Sequence, residues 1–199
     1  MSRKYTHTTA DVLPWNEGML LIEKLQKDDK DILSLFVAVS LFFGTRVSDT
    51  LSIKWNMLLD EELSVRKTLE LTEKKTKKYR RITINEDLAK CLKSTYEKVK
   101  PNNLDNYVFV SQKKSVYSIQ RLNVLLKDFR DKYNLNVKNM SCHSLRKGFG
   151  AELYKRGDKS ENMLIQLSLI FNHSSTAITR RYIGITDDHI AKTYELLSF

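Results

Sequence analysis

Proline and glycine are scarce in this 199-residue chain, at two and six, so few positions break a helix or require a left-handed turn, and helix-rich structure is expected. Cysteine is scarcer still: Cys91 and Cys142 form no C-x-x-C pair, which excludes a disulfide framework or a cysteine zinc site and fits a reducing cytosol. The opening Met-Ser-Arg-Lys-Tyr-Thr-His has no apolar core behind its charges, so no secretory leader is expected. No long hydrophobic run exists either. The longest, Ile32 to Phe43, is interrupted by Ser34 and Ser40 and is too short for a bilayer, so it predicts a buried core helix and no membrane partner. Acidic residues are outnumbered, 24 against 34 Lys plus Arg, and the net charge of +10 with a pI of about 9.5 favours a polyanionic partner. A hydrophobic content of 41% excludes a disordered basic tail.

What is present reads as one domain without repeats or low-complexity tracts. Met19, Leu20, Ile22 and Leu25 follow a helical period over residues 15 to 27, and Asp31 is placed to cap a second helix that Gly44 stops. Thr45 is placed to cap a short third helix with Arg46 in its first turn and Asp49 on the same side. From Ser64 to Ile84 two strands joined by a basic hairpin are expected. Asn85 caps a helix that ends before Pro101, Tyr107 to Val110 is either a short strand or a buried extended segment, and Ser118 opens a further helix. Four helices follow, at about 143 to 156, 161 to 171, 175 to 183 and 187 to 197.

The chemistry-bearing residues concentrate in the last third. His143 and Arg146 stand three apart at a helix start, so both can serve one phosphate. His173 sits at a corner between two helices, and Tyr182 follows Arg180 and Arg181 on the second of them. Taken singly, each has an ordinary structural explanation: a surface turn, a corner histidine, a half-buried phenol. Two imidazoles, a guanidinium and a phenol together are what a phosphodiester-breaking site with a tyrosine nucleophile needs.

In that order, with Gly44-Thr-Arg46-Val-Ser-Asp49 and Lys75-Thr-Lys-Lys-Tyr-Arg-Arg-Ile82 upstream, the pattern resembles the catalytic domain of the tyrosine recombinase (phage integrase) family over roughly residues 10 to 190. The resemblance implies an α+β, mainly helical fold with a small antiparallel hairpin on one side. It implies catalytic roles for Arg46, Lys75, His143, Arg146, His173 and Tyr182. Arg46 and Arg146 would clamp the phosphate, Tyr182 would attack to give a 3′-phosphotyrosyl intermediate, and Lys75 would protonate the 5′ leaving oxygen. His143 would accept or relay the tyrosine proton and His173 would donate a hydrogen bond to the phosphate. No metal and no cofactor is implied. Lys74, Lys77, Lys78, Arg80, Arg81, Lys147, Arg180 and Arg181 become DNA-binding candidates.

Departures from the family pattern are few. Asp49 replaces the commoner glutamate, Asn172 a common glycine, Lys147 a frequent histidine, and Lys77 stands where glycine usually makes the hairpin turn. With Arg46 only 45 residues from the start, the helical DNA-clamping domain that usually precedes the first box is expected to be absent, as in a catalytic fragment or in short members resembling the fimbrial phase-switch invertases. The expectation is a single catalytic domain over 1 to 199, with a core of about 10 to 185 and a C-terminal helix of about 186 to 198 that packs on its own domain or on a neighbour in a homo-tetramer. Double-stranded DNA is the expected partner, with DNA-bending accessory proteins, in the cytoplasm at a prokaryotic nucleoid or mobile element.

Other classes remain open to the sequence. A type IB topoisomerase would use a nearly identical set of side chains, and a non-catalytic DNA-binding regulator could share the fold. A cysteine hydrolase built on Cys142 and His143 is disfavoured, because adjacent helical residues diverge by about 100°.

Overall fold

In the computed structural model, residues 10–185 are described. Helix α1 (Trp15–Lys27) turns Leu21 and Leu25 inward, and α2 (Asp31–Phe43) is buried along most of its length. The two serines that interrupt the apolar run are buried with it. The Ser34 hydroxyl donates to the Ile22 carbonyl at 3.0 Å, so this polar group joins α2 to α1 instead of costing an unsatisfied hydroxyl.

Gly44 ends α2 in the left-handed region, at φ +55°, and its N–H returns to the Ser40 carbonyl. The chain then enters α3 (Val47–Thr50), a 3-10 turn at Trp55–Met57, and the antiparallel pair β1 (Thr68–Thr72) and β2 (Tyr79–Thr83). Leu69 faces Ile82 and Leu71 faces Arg80 across that pair. The turn between the strands forms without glycine: Lys77 itself takes φ +58° and its N–H closes on the Glu73 carbonyl at 2.9 Å.

Five longer or later helices complete the described chain: α4 (Glu86–Val99), α5 (Ile119–Lys132), α6 (Cys142–Arg156), α7 (Glu161–Phe171) and α8 (Thr176–Tyr182). Each is opened by a side-chain cap, from Asn85, Ser118, Ser141, Ser160 and Ser175 respectively.

Some expected boundaries are corrected. Asp31 lies inside the first turn of α2 and pairs with Lys98 at 2.7 Å, leaving Lys30 at the cap. Arg46, not Thr45, occupies the N-cap of α3, and the Thr45 hydroxyl is buried against that of Thr50 at 2.7 Å. Of the two readings of residues 107–110 the buried extended segment is the one observed, with Val108 and Phe109 buried and Tyr107 and Val110 making only isolated bridges. The helix expected at 187–197 lies outside the described residues.

The larger apolar cluster joins α1, α2, α4 and α5 with Trp55, Phe109 and the inner residues of β1. A smaller one holds Leu164, Leu167, Phe171 and Ile183 between α7 and α8. Each fully buried large side chain contributes about 1.5–3 kcal/mol relative to exposure. Helix α6 bridges the clusters, giving Leu145 to the first and Phe149 and Leu153 to the second. Among the described residues no helix is long and apolar enough to cross a membrane.

The tightest joint is the end of α2, where a Cβ on Gly44 would lie 2.2 Å from the Phe149 ring. Gly44→Ala therefore meets both a left-handed backbone and a buried aromatic, and should lower the unfolding free energy by about 2–4 kcal/mol. Urea titration measures this directly, and a change below about 0.5 kcal/mol would contradict the packing described.

Candidate active site

The end of α7 gathers the site. The Phe171 carbonyl, at the last helical position, accepts a hydrogen bond from Arg46 Nη2 at 3.2 Å and another from Arg146 Nη2 at 3.2 Å. A helix C-terminus carries unsatisfied carbonyls and partial negative charge, so it holds two guanidiniums where a neutral surface would not. Arg146 also donates through Nη1 to the Gly44 carbonyl, and its guanidinium carbon lies 4.6 Å above the Phe171 ring. Arg46 reaches the same place from the cap of α3.

The Phe171 ring organises the other two groups. Its centroid lies 5.3 Å from the His173 ring and 5.2 Å from the Tyr182 ring, while those two rings meet edge to face at 5.1 Å. Asn172 makes the intervening corner by taking φ +55° at the C-cap of α7, which is how asparagine serves where glycine is common. Ser175 then caps α8, placing Tyr182 at its last turn. Four of the six candidate catalytic residues, Arg46, Arg146, His173 and Tyr182, are thus brought together around one phenylalanine.

His143 stays exposed on the first turn of α6, beside Arg146 and Lys147. Partial burial of the ring and those two cations push its pKa down, so it is neutral and able to accept a proton at physiological pH. Lys75 is exposed in the hairpin turn, and no hydrogen bond or ion pair joins it to the arginine cluster. Lys74, Lys77 and Lys78 are exposed there as well, and Lys78 donates to the Asn172 side chain, bringing the turn to the corner that bears His173. Arg81 faces outward beside Glu70 at 3.5 Å, Arg180 pairs with Glu161 and Arg181 is exposed. Lys147 lies 5.5 Å from the Tyr182 ring centroid and donates to the Ala10 carbonyl.

Arg80 departs from its expected place. Grouped by sequence with the DNA-facing cations, it turns inward on β2, donating to Glu73 Oε1 at 3.3 Å and to the Phe43 carbonyl at 3.5 Å. Its partner carried no motif that would mark it. Glu73 is 1% exposed and accepts from Arg46 at 2.7 Å, from Arg80 and from the Thr76 hydroxyl. Burial alone would raise its pKa, yet Thr76 and the two arginines hold it below the usual carboxylate range. Asp49, also buried, accepts the Lys74 N–H at 2.8 Å and so ties the hairpin turn to α3. The site therefore sets three guanidiniums, Arg46, Arg80 and Arg146, against two carboxylates, Glu73 and Asp49. One positive charge is left over. The alternating pattern of β2 could have exposed Arg80 as an inward residue, since it shares a face with Ile82; nothing marked Phe171 beyond an ordinary apolar position.

Burial lowers the Arg146 pKa to about 10, which leaves it charged at neutral pH. Burial raises that of Tyr182 despite the opposing charges of Arg146 and Arg46, so the phenol stays protonated until something removes its proton. Cys142 is buried and pushed up to about 12, so no thiolate is available for a cysteine hydrolase. Among the described residues no group of three or more His, Cys, Asp or Glu converges to hold a metal ion.

A family model described as the phage integrase family matches residues 15–189. The chain belongs to the phage integrase, or tyrosine recombinase, family. A probable integrase/recombinase of Bacillus subtilis strain 168, YoeC, is 30% identical over 174 residues, covering 86% of this chain and 87% of that protein. Among solved structures, XerA recombinase superposes with a TM-score of 0.71 at 20% identity, over 100% of this chain and 68% of its own. The lambda integrase catalytic core gives 0.56 at 18%, over 87% and 91%. XerH site-specific recombinase, solved with its palindromic difH substrate as a post-cleavage complex, gives 0.66 at 17%, over 98% of this chain and 55% of its own. The tyrosine recombinase catalytic fold, mainly helical with one small antiparallel hairpin, is the fold of this chain.

Ionised Glu73 is more stable folded than unfolded, because its folded pKa lies below the ordinary 4.5. Its contribution is present above that value and is lost as pH falls through the lower folded one. Glu73→Gln should be the less stable protein at neutral pH, and the gap should close as the solution is acidified below about pH 4.5. Urea unfolding across pH tests this; parallel stability curves would rule out the ion-paired carboxylate.

Proposed function

We propose that this tyrosine recombinase family member is a site-specific DNA strand transferase working through a 3′-phosphotyrosyl intermediate. The observation that carries the proposal is the convergence of Arg46 and Arg146 on one helix-terminal carbonyl, with Tyr182 and His173 packed beside it. The two planar guanidiniums match the in-plane oxygens of a pentacoordinate transition state, and the +1 left by the three arginines against Glu73 and Asp49 matches the single charge of a phosphodiester.

In the cleavage step the Tyr182 Oη–P bond forms as the P–O5′ bond breaks. The phenolic proton passes to His143, and Lys75 supplies a proton to the departing O5′. The raised Tyr182 pKa explains why an acceptor is needed. Lys75 begins outside the cluster, so its hairpin has to close over the bound strand, bringing Lys74, Lys77, Lys78 and Arg81 against the backbone. Lys147, Arg180 and Arg181 extend that basic face. His173 adds a hydrogen bond to the phosphate. Because the phosphotyrosine retains the ester, another 5′ hydroxyl reseals the strand without a metal or cofactor. Exchange between two sites calls for several copies on DNA, a homo-tetramer with bending proteins being the expected assembly, at a chromosome or mobile element. XerH, held with its substrate after cleavage, supports the reading by likeness of fold.

A nicked suicide substrate of the cognate sequence should trap a covalent adduct, visible as a gel shift that survives denaturant. Tyr182→Phe should abolish it, and Arg46→Lys or Arg146→Lys should slow it roughly a hundredfold while the fold survives. An adduct undiminished in Tyr182→Phe sinks the proposal. DNA affinity should fall linearly with the logarithm of salt concentration, and a flat response would remove the basic face from the account.

A further inference from the structure

Behind His173 lies a row of hydroxyls that no role above uses. His173 Nδ1 is 3.0 Å from Thr179 Oγ1, which is 2.8 Å from Ser168 Oγ. The Ser168 hydroxyl in turn lies 2.8 Å from the Leu164 carbonyl, four residues back on α7. Thr179 is fully buried and Ser168 is 8% exposed, so water does not compete for these groups. Thr179 stands three residues before Tyr182 on α8, and the element that presents the nucleophile also presents this hydroxyl.

We propose that Thr179 and Ser168 fix the tautomer of His173, holding the neutral ring with its proton on Nδ1 and a bare lone pair on Nε2. The Leu164 carbonyl can only accept, which orients the Ser168 O–H toward it. Ser168 Oγ then accepts from Thr179, and Thr179, its own proton committed, accepts from His173 Nδ1–H. All three bonds are made in this direction. Run the other way, Ser168 would donate to Thr179 and Thr179 to an unprotonated Nδ1, and the bond to Leu164 would be lost. The Ser175 carbonyl, 3.4 Å from Thr179 Oγ1, offers only a weaker outlet for the same proton and leaves the histidine tautomer unchanged.

Thr179 is therefore a positioning residue that acts through His173. Neutral His173 is an acceptor at Nε2, and it donates to a phosphate oxygen only as the imidazolium. Burial and the charges of Arg146 and Arg46 disfavour that form in the DNA-free protein. A bound phosphodiester brings the negative charge that restores it. The consequence for the reaction rests on the strand-transfer proposal; the tautomer does not.

The test reads them separately. In DNA-free protein labelled with ¹⁵N at histidine, long-range ¹H–¹⁵N correlation above the His173 titration should show the proton on Nδ1. In Thr179→Val, which keeps the volume, and in Ser168→Ala, which frees the Thr179 proton for Nδ1, the population should move toward Nε2–H. Thr179→Ser should restore the wild-type pattern. Adduct formation on the suicide substrate, in single turnover, should slow about tenfold in Thr179→Val, where the imidazolium loses its Nδ1 acceptor and a neutral Nε2–H ring donates only a weaker uncharged hydrogen bond, and recover in Thr179→Ser. An Nε2–H ring in the wild type, or a tautomer unmoved in both Thr179→Val and Ser168→Ala, overturns the proposal. A wild type with the Nδ1–H ring that forms no adduct supports the relay and counts against strand transfer instead.

Discussion

Two positively charged side chains meet at one carbonyl oxygen, and the rest of the site is arranged to make that possible. Arg46 and Arg146 would repel each other across the end of α7 without the partial negative charge of the helix terminus and the buried carboxylate of Glu73. The Phe171 carbonyl is available to them because Asn172 turns the chain away at once in a left-handed conformation. That same turn sets the direction in which His173 and α8 leave, and so the position of Tyr182. Changing the helix terminus would disturb the arginine pair and Tyr182 together.

The hairpin is attached to this arrangement at its root by two buried acids, Glu73 of the hairpin and Asp49 of α3, and at its tip by the exposed contact of Lys78 with Asn172. Glu73 and Asp49 anchor the base of the turn inside the protein, while the side chains of Lys74, Lys75 and Lys77 are exposed. An element held at its root and charged at its tip can change position without the core repacking, which is the property the proposed closure over a bound strand would need.

Much of this was legible in the residues. Helix ends were well signalled because serine and asparagine caps act within three residues of themselves, and the paired strands followed from a basic turn between apolar runs. The candidate catalytic residues were found through motif order, a signal that carries no geometry: it placed Arg80 among surface cations although an inward strand face buries it against Glu73. Phe171 and Glu73 escaped notice because their importance comes from partners far along the chain. Thr45 and Asp31 misled because each side chain has another partner, Thr50 five residues on and Lys98 far along the chain, in place of the cap.

Arg46 and Phe171 are 125 residues apart in sequence, and Arg146 and Gly44 are 102 apart. Closing loops of that length is among the later and entropically costlier events of folding, so the clamp assembles only when both apolar clusters are in place. A chain partly unfolded by heat or a destabilising substitution can keep α7 and α8, and with them His173 and Tyr182, while losing the meeting of Arg46 and Arg146 at the Phe171 carbonyl. The meeting of the two arginines is in this way a mark of completed folding, since local helix formation alone does not produce it.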